Sequence, residues 1–166
     1  MIKLYNVQED YIDYLRETDQ NVLMNKNAHR PYVGVVLEVN TVKYYIPLMS
    51  PKPKHSNMRN SKDFHKIAEG KYGAINFNKM VPVCETELTE IDIDNESDPN
   101  YRSLLRNQFK ELLNIKDIIL RKSQNIHNLF LSDNKDLSPN DIKIKERCCN
   151  FPLLEEKMHE YINRTG

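Results

Sequence analysis

The residues whose types and spacing could do chemistry lie between positions 50 and 55. This stretch holds a hydroxyl (Ser50), two lysines (Lys52 and Lys54) and an imidazole (His55), and prolines stand at positions 47, 51 and 53. Proline fixes φ and lowers the entropy that a loop loses when it becomes ordered. A stiff loop rich in donors and cations can bind a phosphate. The alternative is a solvated turn rich in proline and lysine.

Two kinds of chemistry fit these residues. A nucleophilic serine normally needs a base and a sharp G-x-S-x-G turn, and Met49-Ser50-Pro51 lacks those glycines. A nucleophilic Ser50 with Lys52 as its base remains an alternative. RNA cleavage requires no nucleophile from the protein, because the 2′-hydroxyl of the RNA is the nucleophile. The protein must then position the phosphate and stabilise its charge, for which Ser50 and Lys52 are suited. His55 is the obvious acid or base by residue type, and a surface or binding role is its alternative.

Charge is unevenly distributed along a chain whose net charge is zero. Positions 50–66, the basic segment, carry five cations and one anion, whereas positions 85–98, the acidic segment, carry seven anions and no cation. The basic segment can bind phosphates while the acidic segment offsets its charge, and two solvated stretches are the alternative. Its cations are Lys52, Lys54, Arg59, Lys62 and Lys66.

Several classes of protein are disfavoured by the motifs that the sequence lacks. The three cysteines, two of them adjacent, argue against a disulfide framework and for a reducing cytoplasm. The sequence contains no C-x-x-C, H-E-x-x-H, G-x-G-x-x-G or P-loop motif, and the acidic segment lacks EF-hand spacing. No apolar run approaches the roughly 18 residues of a membrane span. We therefore expect neither a metal, nor a cofactor, nor a membrane partner.

Two further residues are candidates for contacts with nucleic acid. Arg30 directly precedes Pro31 and a strand, so it is held in place and can reach a phosphate. Most of the strand tyrosines are expected in the core. One of them, Tyr5, is a candidate to stack on an unpaired base.

The elements that must position these residues follow from hydrophobic periodicity. The pattern predicts a strand at Lys3–Val7, a helix at Glu9–Thr18 and a hairpin of Tyr32–Val39 with 42–47 around Asn40-Thr41. Further predictions are a helical turn at 64–68, strands at 73–77, 80–84 and 88–93, one or two helices from Asp98-Pro99 to position 130, a polar loop at 131–140 and a helix at 152–162. Strands early and helices late predict an α+β fold, and 166 residues suit a single domain over 1–166.

Several segments, taken in order, resemble one known family. They are Ile2-Lys3-Leu4-Tyr5, Gly34-Val35-Val36-Leu37-Glu38, Pro47-Leu48-Met49-Ser50-Pro51-Lys52, Gly73-Ala74-Ile75-Asn76-Phe77 with Met80-Val81-Pro82-Val83, the helix from Tyr101, and the run 150–157. Together they resemble the ToxN/AbiQ family of bacterial endoribonuclease toxins. Members of that family are the protein halves of type III toxin–antitoxin and phage-abortive systems.

The resemblance implies a fold, an activity and a partner. The fold is a compact, highly twisted antiparallel sheet flanked by helices, distantly like the Kid/MazF toxins. The activity is metal-independent cleavage of cellular or phage mRNA in the bacterial cytoplasm, which leaves a 2′,3′-cyclic phosphate and a 5′-hydroxyl. The partner is a small repeated antitoxin RNA whose pseudoknots fill basic grooves in a closed RNA–protein assembly. DNA is not expected as a partner.

The resemblance also assigns site residues. The family's serine and lysine fall on Ser50 and Lys52, the expected catalytic pair. A family threonine falls on Met49, which has no hydroxyl, and a family lysine falls on Arg30, which keeps the charge but is a poor acid or base. The expected RNA-binding residues are Arg30, Lys54, His55, Arg59, Lys62, Lys66 and Tyr5. Two rival interpretations remain. One is a non-catalytic RNA-binding module, in which this loop binds phosphates without cleaving RNA. The other is a protein-interaction domain built on the acidic segment.

Overall fold

The computed structural model describes residues 2–27 and 29–165. Within this part of the chain, seven strands form one antiparallel sheet. The strands are β1 (Lys3–Val7), β2 (Tyr32–Val39), β3 (Val42–Met49), β4 (Phe64–Lys66), β5 (Ala74–Asn76), β6 (Val81–Pro82) and β7 (Leu88–Glu90). The helices are α1 (Glu9–Thr18), α2 (Pro53–Asn57), α3 (Pro99–Asn114), α4 (Lys116–Asn128), α5 (Pro139–Arg147) and α6 (Phe151–Thr165). The predicted α+β fold is confirmed.

The hairpin of β2 and β3 forms the centre of the sheet. The strand order is β4-β5-β3-β2-β1-β7, and β6 also pairs with β3. Asn40 and Thr41 join the hairpin with φ values of 49° and 72°. A two-residue turn with positive φ at both positions matches the right-handed twist of the flanking strands. The hairpin therefore sets the direction in which β3 runs to its end at Met49.

Helices cover one face of this hairpin and hold β3 in place. Helix α4 packs on β2, and α6 packs on β6 and α1. The Tyr44 ring of β3 meets the rings of His127 and Phe151 edge-on, at centroid distances of 5.2 and 5.7 Å. The Tyr11 hydroxyl donates to the Pro82 carbonyl at 2.6 Å. Each large apolar side chain buried here, such as Phe151, contributes roughly 1.5–3 kcal/mol, so the position of β3 is strongly fixed.

The sheet departs from the sequence prediction in the basic segment. The helical turn predicted at 64–68 is wrong: residues 64–66 form β4, in which Phe64 pairs with Asn76 and Lys66 with Ala74 of β5. A 3-10 turn, Ala68–Gly70, follows it. The helix of this segment lies earlier, at α2, where Pro53 occupies the first turn. Proline is favoured there because its missing N–H would have no helical partner.

In the C-terminal half, the ends of the helices are set by capping residues. Of the one or two helices predicted from Asp98-Pro99 to position 130, the structure has two, and the break falls at Ile115, whose φ and ψ are −107° and 20°. The Asp98 carboxylate accepts from the N–H groups of Asn100 and Tyr101, as the predicted N-cap requires. The loop predicted at 131–140 ends earlier than expected, because the Ser138 hydroxyl caps α5 by accepting from the Asp141 N–H at 3.1 Å.

Candidate functional site

Ser50 is exposed directly after the end of β3. The exit of the strand is fixed by Gly73, which precedes β5 and has a φ of +98°. A Cβ atom at Gly73 would overlap the Met49 carbonyl oxygen, so only glycine lets the two backbones approach this closely. The hydroxyl of Ser50 is therefore presented to solvent from a fixed backbone.

Helix α2 stiffens the loop beyond Ser50. The Lys52 backbone N–H donates to His55 Nδ1 at 3.2 Å, and the His55 side chain is 0% exposed. Gly70, with a φ of +94°, lets the 3-10 turn pack against α2, because its Cβ would lie 3.0 Å from the His55 backbone. The sequence had suggested that His55 contacts RNA. Its burial removes it from the residues that can do so directly. Its role is to hold Lys52 at the start of the helix.

Arg30 ties a second loop to the end of β3. Its Nε donates to the Met24 carbonyl at 2.9 Å, and its Nη1 donates to the Leu48 carbonyl at 3.1 Å. The side chain is half-buried, and this burial lowers the pKa of the guanidinium from its ordinary value. A guanidinium carries five N–H groups, so Arg30 can still donate to a phosphate. The sequence-based placement of Arg30 beside Ser50 is supported.

Three cations lie close together around Ser50. The charge of Arg30, followed by burial and the charge of Lys52, lowers the pKa of Lys26. Like charges held this close raise the energy of the charged state unless an anion comes between them. The group formed by Lys26, Arg30 and Lys52 is called the cation cluster below, and it is suited to a phosphate.

A cleft of about 310 Å³ opens beside Ser50. Its lining combines Lys26, His29, Arg30 and Ser50 with residues of the acidic segment and α3. The volume lies within the range of about 300–1,000 Å³ usual for small-molecule sites. The acidic segment and α3 contribute the polar side chains of Glu96, Tyr101 and Gln108.

The other predicted cations divide between two surfaces. Lys54 on α2 and Arg59 in the bend after it are exposed. Lys62 is paired with Asp141 at 2.9 Å, and the side chain of Lys66 is only 13% exposed and is paired with Glu69 at 3.3 Å. Lys62 lines a second cleft, of about 490 Å³, together with Arg121 and Lys122. Lys66 is thus poorly placed to bind RNA, and Lys62 belongs to a separate surface.

Tyr5 does not lie among the residues that line the Ser50 cleft. Its ring meets Tyr45 edge-on at a centroid distance of 5.4 Å. Burial, followed by the charges of Tyr5, Glu85 and Glu38, raises the pKa of Tyr45, so this aromatic pair has acidic side chains around it. An acidic surrounding repels the RNA backbone, so the structure gives no support to Tyr5 as a base-stacking residue.

The pH dependence of stability should report the burial of His55. Burial, with the charges of Lys54 and Lys52, lowers the pKa of His55 below its ordinary value of 6.5. The unfolded chain then takes up a proton before the folded chain does, so stability should fall as pH drops below about 6.5. His55→Asn keeps an acceptor for the Lys52 N–H but does not titrate. We expect its Tm to fall less than that of the wild type between pH 7.5 and 5.5, and equal decreases would contradict this role.

The described residues contain neither a metal-binding cluster nor a membrane-spanning helix. Across 2–27 and 29–165, no three His, Cys, Asp or Glu side chains lie close enough to hold a metal ion. In the same part of the chain, no helix combines the length and apolar character that crossing a membrane requires. The absence of a metal requirement stays a prediction.

The sequence matches a family model along most of its length. The model is described as Toxin ToxN, type III toxin–antitoxin system, and it covers residues 3–159. The chain belongs to the ToxN family. It is 36% identical to the endoribonuclease ToxN of Bacillus thuringiensis subsp. kurstaki over 98% of this chain and 85% of that protein. It is 31% identical to the endoribonuclease ToxN of Pectobacterium atrosepticum, over 96% of this chain and 94% of the relative.

Solved structures of ToxN-type proteins share the fold. One of them comes from a study of selective toxin inhibition by a non-coding RNA pseudoknot. Its TM-score is 0.85 at 34% identity, and the match covers 96% of this chain and 97% of that chain. Another is AbiQ, a lactococcal anti-phage endoribonuclease of the type III system. Its TM-score is 0.80 at 25% identity, over 98% of this chain and 99% of AbiQ. The family resemblance seen in the sequence is confirmed.

Proposed function

We propose that this ToxN-family chain is an endoribonuclease toxin that cuts RNA by attack of a 2′-hydroxyl on the adjacent phosphate. The bond from the 2′-oxygen to phosphorus forms, and the bond from phosphorus to the 5′-oxygen breaks. The 2′-hydroxyl loses a proton and the 5′-oxygen gains one, which gives a 2′,3′-cyclic phosphate and a 5′-hydroxyl. The observation that carries the proposal is that Ser50, Lys26 and Arg30 line one cleft. Lys52, two residues after Ser50, does not line the cleft itself, but its charge acts on Lys26.

Each of these groups has a role in that reaction. The Ser50 hydroxyl donates to a non-bridging oxygen, and Arg30 holds the phosphate from its fixed position. The Lys52 ammonium stabilises the developing charge and can give a proton to the leaving 5′-oxygen. Met49 supplies no hydroxyl, and its thioether accepts from the Asn76 amide at 3.9 Å. Ser50 is thus the hydroxyl on which this element depends.

The proposed partners are RNAs. The substrate is cellular or phage mRNA in the bacterial cytoplasm, and the inhibitor is a small repeated pseudoknot RNA that joins the toxin in a closed assembly. One solved relative comes from work on toxin inhibition by a non-coding RNA pseudoknot, which supports this partner. DNA is not a substrate, because it lacks the 2′-hydroxyl that serves as nucleophile.

Charge reversal should weaken inhibition by the antitoxin RNA. Lys54 and Arg59 are exposed and follow Lys52 in the sequence. Each phosphate contact contributes roughly 0.7–0.9 to the slope of log affinity against log salt. Lys54→Glu with Arg59→Glu should therefore flatten that slope by about 1.4–1.8 and reduce inhibition. The matched control is Lys43→Glu with Lys157→Glu, at the start of β3 and on α6. An unchanged slope would place the RNA on the cleft of Lys62, Arg121 and Lys122.

Induction in a bacterial host tests the proposed function. The wild type should stop growth and fragment mRNA, whereas Ser50→Ala at equal abundance should do neither. A non-catalytic RNA-binding module is the rival. Growth arrest with intact mRNA, equal for the two proteins, would favour that rival and contradict the endoribonuclease.

A further inference from the structure

The feature that the proposed reaction leaves unexplained is the side chain of Gln108. Gln108 lies on α3, is 3% exposed and lines the Ser50 cleft. Its Nε2 donates to the Tyr72 carbonyl at 2.9 Å, which fixes the amide. Its Oε1 has no hydrogen-bond partner among the described residues and is covered from water. A buried acceptor without a donor destabilises the fold, so such an atom calls for a partner that the chain itself does not supply.

The neighbours of Gln108 add a second acceptor and an aromatic ring. Glu96 lines the same cleft, and its Oε1 accepts from the Asp98 backbone N–H at 3.2 Å. A carboxylate has about four acceptor sites, so this one bond leaves capacity for a further donor. Tyr101 stands in the first turn of α3, where the Asp98 cap holds its backbone. Burial, followed by the charge of Glu96, raises the pKa of the Tyr101 phenol, which therefore stays neutral. A neutral ring half-buried in a cleft is suited to stacking on a base.

The residues that line the cleft thus offer two kinds of chemistry. Lys26, Arg30 and Ser50 suit a phosphate, whereas Gln108 and Glu96 offer acceptors beside an aromatic ring. A nucleotide has both parts, because its phosphate is anionic and its base edge carries donors. The exocyclic amino groups of adenine, cytosine and guanine donate hydrogen bonds, whereas the corresponding positions of uracil are carbonyl acceptors.

We infer that Gln108, Glu96 and Tyr101 form a base pocket that selects a nucleotide with an exocyclic amino group and rejects uridine. The pocket holds one of the two bases that flank the scissile phosphate, since the phosphate lies at Ser50 in the same cleft. The inference rests on the proposed function and adds the sequence preference of that site. Gln108 and Glu96 are the specificity-determining residues of this pocket. The partly exposed Glu96 carboxylate meets the amino group of the base first, and Gln108 Oε1 accepts from it once the bound base displaces the groups that cover this oxygen.

Short RNAs with single-group changes test the pocket. At each of the two flanking positions, one substrate series compares adenosine with purine riboside, guanosine with inosine and cytidine with uridine. The first two pairs differ only by an amino group, and the third exchanges an amino group for a carbonyl. At the selected position, loss of the amino group from the preferred base should lower kcat/KM roughly 5- to 100-fold, and uridine should be cut equally poorly.

Variants of the pocket separate selection from stability. Gln108→Met keeps the size of the side chain and removes its acceptor, so the ratio of kcat/KM between the preferred base and its amino-free analogue should fall toward one. Glu96→Gln, at a partly exposed position, should lower the same ratio even if Gln108→Met folds poorly. The matched control is Asp94→Asn in the same segment, because Asp94 pairs with Arg106 and lies outside this cleft. It should keep the wild-type ratio.

The outcomes distinguish failure of the proposed function from failure of the base pocket. A wild type that cuts none of the RNAs overturns the proposed function and the pocket with it. A wild type that cuts every substrate with the same kcat/KM overturns the pocket alone. Equal losses for all substrates in both variants, with the ratio unchanged, also overturn it, because they indicate that these residues only support the fold.

Discussion

Purified Ser50→Ala should cut RNA with a kcat/KM lower than that of the wild type by on the order of 100-fold or more. Ser50 carries the one hydroxyl of the segment Pro47-Leu48-Met49-Ser50-Pro51-Lys52, and loss of one donor that acts in the transition state has a cost of this size. Ser50 is exposed, so its hydroxyl contributes little to packing. The variant should therefore keep the Tm of the wild type to within about 2 °C.

Ser56→Ala is the matched control for Ser50→Ala. Ser56 is an exposed serine of α2 whose hydroxyl donates to the Pro53 carbonyl at 2.9 Å, away from the cleft. This variant should cut RNA at the wild-type rate. Cleavage by Ser50→Ala at a similar rate would show that the hydroxyl does not act on the phosphate.

A single 2′-deoxy nucleotide at the cleavage site should stop the reaction altogether. In the proposed mechanism the 2′-hydroxyl of the RNA is the nucleophile, and the chain supplies only positioning and charge. The rate should be measured on an RNA with one cleavage site, with the same substitution two nucleotides away as the control. The control RNA should be cut normally. Cleavage of the deoxy substrate would require water as the nucleophile and would contradict the mechanism.

Local patterns explain how much of the fold the sequence predicted. The bounds of Lys3–Val7, Glu9–Thr18 and Tyr32–Val39 follow from periodicity and from the turn at Asn40-Thr41, and all three are confirmed. Periodicity says little in the basic segment, where charged residues dominate. There β4 exists because β5 pairs with it, and α2 packs where Gly70 permits a close approach. Such contacts join positions far apart in the sequence, which local patterns do not report.

The same distinction applies to the site. Ser50, Lys52 and Arg30 were found from their residue types and their places at strand ends, and the family resemblance marks the same residues. Ser50 and Arg30 do line one cleft. Lys26, Glu96, Tyr101 and Gln108 come from three other parts of the chain, and no spacing links them to Ser50. His55 was assigned to RNA by its residue type and its loop. Its burial depends on the packing of α2 against the turn at Gly70, so only the tertiary structure reveals its supporting role.

The end groups of the cut RNA, formed by the purified wild type in excess EDTA, test the central claim most directly. The account predicts a 2′,3′-cyclic phosphate and a 5′-hydroxyl at every cut, produced at an undiminished rate, since the 2′-hydroxyl mechanism needs no metal. A 3′-hydroxyl with a 5′-phosphate, or a reaction that stops in EDTA, would contradict it. RNA that is retained by the protein but never cut would show instead that the cleft of Ser50 and the cation cluster only binds phosphates.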